Sequence, residues 1–325
     1  MAKKTKPRCG SLAYSPRQRA SRVVPKIKKR GDKNLGIFPL GFAGYKVGMA
    51  QIMATDITPH SPTNKINVAI PCTIIATPPL KIFGIRFYHK PYIHLIPYTE
   101  VISEKSDKDL SRVIHLSKNN NAEAVSKKFE EIEKNKDEIK EVKLLCCTNP
   151  RLLNIKKKPD ILEIPIGGDI NTQINFAKEN FGKEINVDNT FKENTLIAVS
   201  GVTKGKGWQG AVKRWGIITQ GRKVTGKRRH SPINPVTPRH TSWRAPQGGQ
   251  VGYHMRTETN RILLKISKDN ITHKGGFLNF GVLNDTKYVI VKGSVPGPAK
   301  RIIGLSFNPY KIETKEKYEL KELIV

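Results

Sequence analysis

The sequence predicts a mainly β fold, a barrel with an inserted α-containing region and long basic extensions. Three observations lead there. Short apolar runs punctuated by Gly and Pro occur early and again late in the chain, a pattern that suits strands with tight turns and that helices do not tolerate. Between them lies a segment with helical periodicity and nearly balanced charge, with eighteen acidic and seventeen basic residues from Glu100 to Thr195. Next comes a stretch, Thr195 to Thr257, with no Asp or Glu, twelve Lys or Arg, and three Trp (Trp208, Trp215 and Trp243). A run of one sign this long repels itself unless a polyanion lies against it.

The 325 residues carry 58 Lys and Arg against 27 Asp and Glu, a formal net charge of +31. The chain is long enough for one large domain or two ordinary ones, so a real core is available. Outside Glu100–Thr195 the balance is 41 basic to 9 acidic, so one portion is suited to water and the rest to a polyanion. Neutralising phosphates with Lys and Arg releases condensed counterions, which makes nucleic acid the expected partner.

Residues 1–34 form the first segment, with twelve Lys or Arg, one acid (Asp32), and Tyr14, Pro7, Pro16 and Pro25. So few aliphatics bury no core. Two readings fit: a solvated basic tail, or an arm that orders against RNA through Arg17, Arg19, Arg22, Lys26, Lys28, Lys29 and Arg30. Residues 35–99, with IFPLGFAGYKVGM, VAIPCTIIATPPL and KIFGIRFY, read as the first part of the barrel. Gly41, Gly44 and Gly48 there are spaced for bends or close backbone approach.

Residues 100–194 form the α-containing insertion. Val125, Phe129, Ile132, Ile139 and Val142 recur at helical intervals, and a helix is expected across AVSKKFEEIEKNKDEIKEVKLL. A second is expected from Ile170 to Phe181, with Asp169 as N-cap, Ile170, Ile174, Ala177 and Phe181 on one face, and Gly182 just past the end.

Residues 195–215 join a buried strand, TLIAVSGVT, to a basic turn carrying Lys204, Lys206, Trp208, Lys213 and Arg214. Gly205, Gly207 and Gly210 spell G-x-G-x-x-G after a strand, the dinucleotide fingerprint. Only AVKRW follows before Gly216, and the next acid is Glu258, so the long helix and ribose-binding carboxylate of that motif are missing. The glycines instead let backbone and lysines approach phosphates.

Residues 216–257 read as a central extension with little core of its own. It presents Arg222, Lys223, Lys227, Arg228, Arg229, His230, Arg239, His240, Trp243, Arg244 and Arg256. Pro232, Pro235 and Pro238 recur every third residue, the repeat of a stiff polyproline II segment; the same spacing could mimic an SH3 or WW ligand, a reading that the Arg density on both sides disfavours. Trp243, between Ser242 and Arg244, is either a local anchor or an aromatic plate for an unpaired base.

Residues 258–325 supply the second part of the barrel: RILLKI, GGFLNFGVL, KYVIVKGSV and RIIGLSF, with a turn at Asn284–Asp285 and Lys300 and Arg301 at a strand end. The Lys and Glu alternation from Lys311 to Leu323 reads as an edge strand or a terminal tail.

No catalytic or metal-binding set emerges. His89 and His94 lack a carboxylate nearby to complete a ligand set, and His230, His240 and His254 lie in the acid-free stretch with no orienting Asp or Glu nearby in sequence, so stacking or phosphate bonding suits these three better, although partners distant in sequence could converge. Cys9, Cys72, Cys146 and Cys147 lack C-x-x-C spacing and read as reduced thiols. No window approaches the ~18–20 apolar residues of a membrane span, and the start lacks a secretory core, so a cytoplasmic location is expected, with no cofactor and no small-molecule substrate.

The run SGVTKGKGWQGAVKRWG resembles large-subunit ribosomal protein three in its archaeal and eukaryotic form. GSLAYSPRQRA, LGFAGYKVGM, PQGGQVGYHMRTETN, GGFLNFG and GSVPGPAKR match the same family in the same order. The resemblance implies a β-barrel of the translation-factor kind, folded with its arm and extension against large-subunit rRNA. It implies early action in subunit assembly, contacts with neighbouring large-subunit proteins, and an insertion nearer the outer surface. It also places Trp243 at the tip of an extension that reaches the peptidyl-transferase centre on the aminoacyl-tRNA side, with Lys227, Arg228, Arg229 and His230 lining the approach. Two other classes remain: a nucleotide-dependent enzyme built on Gly205, Gly207 and Gly210, and a DNA-packaging protein.

Overall fold

A computed structural model of the chain describes residues 11–27, 36–103, 108–115, 122–217, 219, 223, 243–268, 276–283, 286–310 and 312–324. Strands dominate these residues. In chain order they are β1 (Gly41–Asp56), β2 (Asn67–Ala76), β3 (Leu80–His89), β4 (Ile96–Ile102), β5 (Ile139–Cys147), β6 (Ile161–Pro165) and β7 (Glu184–Ile185). They continue with β8 (Thr195–Val202), β9 (Trp208–Gln209), β10 (Gly249–Gln250), β11 (Met255–Ser267), β12 (Tyr288–Lys292), β13 (Ile302–Phe307) and β14 (Tyr318–Ile324). The α-helices are α1 (Ala122–Lys134), α2 (Ile170–Glu179) and α3 (Ala211–Trp215).

The chain divides into two compact units, one made of Met1–Ser21 with Val202–Met255, the other of Arg22–Gly201 with Arg256–Val325. The larger unit holds a seven-stranded sheet in the order β13-β8-β11-β12-β2-β1-β14, and β13 also pairs with β1. The ladder therefore returns to the strand from which it starts, and β14 hangs on the far half of β1. The first seven residues of β1 are buried without interruption; Gly41 to Tyr45 pair with β13, and β2 pairs with β1 from Tyr45 onward. Its last residues, beside β14, mix buried and partly exposed positions, as a strand with one wetter face does. At Gly44 a Cβ would lie 2.7 Å from the Ala76 carbonyl oxygen, so the close approach of β1 to β2 requires glycine.

A second sheet runs β4-β3-β5-β6, with β7 pairing to β3. Here KIFGIRFY departs from expectation: as β3 it pairs with β4, β5 and β7 and does not join the seven-stranded sheet. The long helix is also shorter than its periodicity suggests. α1 stops at Lys134, and Ile139 and Val142 lie on β5, where IKEVKLLCC fills the gap between β3 and β6. An apolar interval of seven is compatible with a helix, but the aliphatic run that follows is better used as a doubly paired strand. α2 begins where expected and ends two residues earlier. Asp169 is extended at its N-cap but makes no side-chain cap bond, and Gly182, φ +74°, takes the left-handed turn beyond. Ile174 and Ala177 are buried, while Ile170 and Phe181 are partly so.

GGFLNFG does not form a strand. Phe277 bridges to Gly281 around a tight turn that buries Phe277 and Phe280. The C-terminal alternation forms an edge strand, β14. Aliphatic side chains from both sheets, such as Ile74, Ile82, Leu144 and Ile303, form one continuous core in this unit. Within it, the Tyr45 hydroxyl donates to Asp160 Oδ2 at 2.6 Å and lies 2.8 Å from Thr148 Oγ1, so no buried polar atom of this trio is stranded. Cys72, Cys146 and Cys147 are buried thiols outside any disulfide, and burial pushes the Cys72 thiol up to about 11. No helix among the described residues is long and apolar enough to cross a membrane.

Candidate nucleic-acid interface

In the smaller unit the basic turn is half of a two-stranded ribbon. β9 pairs with β10, and the ladder is extended by Lys206 N–H to Val251 O, Val251 N–H to Gly207 O, and Tyr253 N–H to Lys204 O. Gly252, φ +71°, makes this possible: a Cβ there would sit 2.0 Å from the Lys204 carbonyl oxygen. After β9, Gly210 caps α3, which lasts five residues and ends at Gly216 in the left-handed region. The G-x-G-x-x-G run thus leads into a ribbon and one short helical turn, and the long helix that would receive a dinucleotide pyrophosphate is not formed.

α3 clamps the returning strand. Arg214 Nη1 donates to Gln247 O at 3.1 Å and Gly248 O at 3.3 Å, and Trp215 Nε1 donates to Gln247 O at 2.7 Å. The arm is tied to the same point: the Arg17 guanidinium lies 4.0 Å from the Trp215 ring centroid and Nη1 donates to Arg214 O. Burial, then the nearby Arg17 charge, lowers the Arg214 guanidinium pKa from its usual value. Arg19 lies 5.1 Å from the Tyr253 ring, and Ala20 N–H bonds Tyr253 O at 2.8 Å.

His254 departs from the stacking or phosphate role expected of it. It is buried, and its Nδ1 donates to the Gln18 carbonyl at 2.8 Å, which fixes the tautomer because a carbonyl oxygen only accepts. Arg17, Arg214, Trp215, Gly252 and His254 therefore hold arm, ribbon and turn together. Other predicted residues face outward: Lys204, Lys206, Lys213, Lys223 and Arg244 are exposed, as is Arg19. Trp208 is 78% exposed and Trp243 71%, with the Arg244 guanidinium 5.3 Å from the Trp243 ring. Trp243 is therefore not a buried anchor. An indole left in water amid cations is open to a π-face and a phosphate at once.

The larger unit carries the remaining described cations. Pro25 and Ile27 are buried, and their side chains meet the Gly304 and Gly41 positions of β13 and β1, leaving Arg22 and Lys26 exposed. Lys300, φ +65°, is exposed just before β13, and Arg301 and Arg256 are half-buried. Lys46 sets this turn: buried, it donates through Nζ to Val295 O at 2.7 Å and Gly297 O at 3.2 Å, and its main chain bonds Lys300 N–H and Arg301 O. No local signal marks Lys46, because its partners lie about 250 residues away. Lys28, Lys29, Arg30, Arg222, Lys227, Arg228, Arg229, His230, Arg239 and His240 lie outside the described residues, as do Cys9, the Pro232–Pro238 repeat and the Asn284–Asp285 turn. Among the described residues no group of three or more His, Cys, Asp or Glu could hold a metal.

Exposed indoles and cations on an acid-free, hydrogen-bonded support are what a nucleic-acid-binding protein presents. The model of the ribosomal protein L3 family matches residues 1–323. The chain is 45% identical over 312 residues to the large ribosomal subunit protein uL3 of Methanocaldococcus jannaschii, covering 92% of this chain and 90% of that one. It is 43% identical over 313 residues to uL3 of Methanobrevibacter smithii, covering 93% and 91%, and 41% identical over 309 residues to uL3 of Archaeoglobus fulgidus, covering 92% and 90%. The chain belongs to the ribosomal protein L3 family.

Proposed function

We propose that this chain is a structural protein of the large ribosomal subunit, and not an enzyme, that binds large-subunit rRNA through its basic arm, its ribbon and its central extension. Its place is then in the ribosome, in the cytoplasm. The observation that carries the reading is the exposed Trp208 between Lys206 and Lys213, held out by a ribbon whose supports are internal to the protein. A surface fixed before binding loses little conformational entropy on meeting RNA.

The finer architecture belongs to the same proposal. The pairing of β13 with both β8 and β1 supports a translation-factor-like barrel, with residues 35–99 and 258–325 contributing to it and residues 100–194 inserted. Arm 1–34, turn 195–215 and extension 216–257 are the parts assigned to RNA. Family resemblance supports early action in assembly, and an extension that organises RNA near the peptidyl-transferase centre with Trp243 at its tip; the exposure of Trp243 agrees with that role.

Sedimentation of cell lysate through sucrose at moderate and high salt tests the core of the proposal. Cosedimentation with the large subunit that survives high salt is expected, because charge buried in a fixed RNA fold is poorly screened. A chain that stays at the top of the gradient, or leaves with modest salt, would be a soluble or peripheral factor.

A further inference from the structure

The hairpin between β3 and β4 carries the densest apolar exposure among the described residues. Pro91 to Tyr98 are all exposed, and five of these eight are large apolar side chains: Tyr92 at 86%, Ile93 at 81%, and Leu95, Ile96 and Tyr98 at about 40% each. An ordinary surface scatters such residues singly, whereas a contiguous set marks an interaction site. The tip is also firmly based. Asn135 Nδ2 donates to the Tyr98 hydroxyl at 3.0 Å, the His89 ring meets Tyr98 edge-on at 5.6 Å, and Tyr88 and His89 pair with Pro97 and Ile96.

We infer that this tip is a protein-docking element, which inserts into an apolar recess on another protein of the large subunit. The inference rests on the ribosomal reading above and adds the site and the chemistry of one partner. Three of the five side chains are aliphatic, and these gain nothing from phosphates and little from base faces. The tip itself, Pro91 to Tyr98, carries no Lys or Arg, so counterion release does not drive a contact here. An eight-residue tip cannot supply the roughly 800 Å² per partner that free-standing complexes bury, which disfavours a second copy of this chain as occupant. A neighbour already held close by shared RNA needs far less area, because its effective concentration is high.

The test uses the full-length chain assembled into large subunits, with a photo-activated benzoylphenylalanine at Tyr92 in one preparation and at Trp208 in another. Identification of the cross-linked products by mass spectrometry is expected to find one ribosomal protein at Tyr92 and rRNA at Trp208. Cross-links from Tyr92 to rRNA alone, to a second copy, or to nothing overturn the inference. A Tyr92 cross-link to protein without a Trp208 cross-link to RNA strikes instead at the proposed RNA surface. The double variant Tyr92→Ser, Ile93→Ser alters only exposed side chains, so its melting temperature is expected to be unchanged. Its retention of the cross-linked neighbour through a salt wash is expected to fall about tenfold. Unchanged retention counts against docking by the tip.

Discussion

Three tryptophans within one acid-free stretch have two different fates. Trp215 is half-buried, hydrogen-bonded to Gln247 and covered by Arg17, whereas Trp208 and Trp243 stand in water. Trp208→Ala is therefore expected to leave thermal unfolding unchanged while weakening binding to an rRNA fragment by the ~1–3 kcal/mol of one base stack, about 5- to 150-fold by filter binding or fluorescence. Trp215→Ala is expected to act on stability instead. Gly252→Ala places a methyl against the Lys204 carbonyl at a positive φ and is expected to cost about 1–3 kcal/mol, read as faster hydrogen exchange at Lys206 and Val251. The sequence shows that all these residues are basic, aromatic or glycine. Which cations stay exposed and which brace the fold was not legible, because Arg17 and Arg214 are 197 positions apart.

Between single residues and the molecule, the arm is the element most exposed to test. Arg17→Ala removes a cation–π interaction and a hydrogen bond worth together about 1–2 kcal/mol. Protease cleavage within the arm is expected to become about 5- to 30-fold faster where it follows local opening. Strand β5 marks a limit of sequence reading at this scale. Its apolar residues continue the stripe of α1, and only the presence of β3 and β6 on either side makes the strand the better use of them. Strands β2, β8, β12 and β13, the first half of β1 and the RILLKI half of β11 were legible because each is an apolar run bounded by turns, whereas the MRT that opens β11 read as the end of the extension; sheet membership was not legible, because pairing is non-local. The buried thiols of β2 and β5 give a further check. With Cys72 pushed up to about 11 by burial, and Cys146 raised by burial and the adjacent Cys147, both are expected to resist alkylation at pH 8 until the protein is denatured.

For the whole molecule, charge separates by segment: +32 outside Glu100–Thr195 and nearly zero within it. This was the most legible property, since it requires only counting. Binding to a single-stranded rRNA fragment is expected to fall with salt at a log–log slope of about −0.7 per phosphate neutralised. Deleting residues 1–34 is expected to make that slope shallower by about 0.7 for each phosphate that the arm neutralises, and an unchanged slope removes the arm from the interface.

β8 and β11 lie side by side, and beyond their ends Thr203 N–H bonds His254 O while His254 N–H bonds Thr203 Oγ1. The fifty residues between them thus depart and return through a single doorway. Doubling the length of such a detour costs only about 0.6 kcal/mol in closure entropy, so the sheet is nearly indifferent to what is threaded through it. The sheet and the segment threaded through it can change independently: a tight turn in place of residues 204–253 is expected to leave a folded sheet that keeps only the RNA contacts of the arm and of the sheet's own cations, and a longer or differently charged detour grafted there is expected to leave the sheet's stability nearly unchanged.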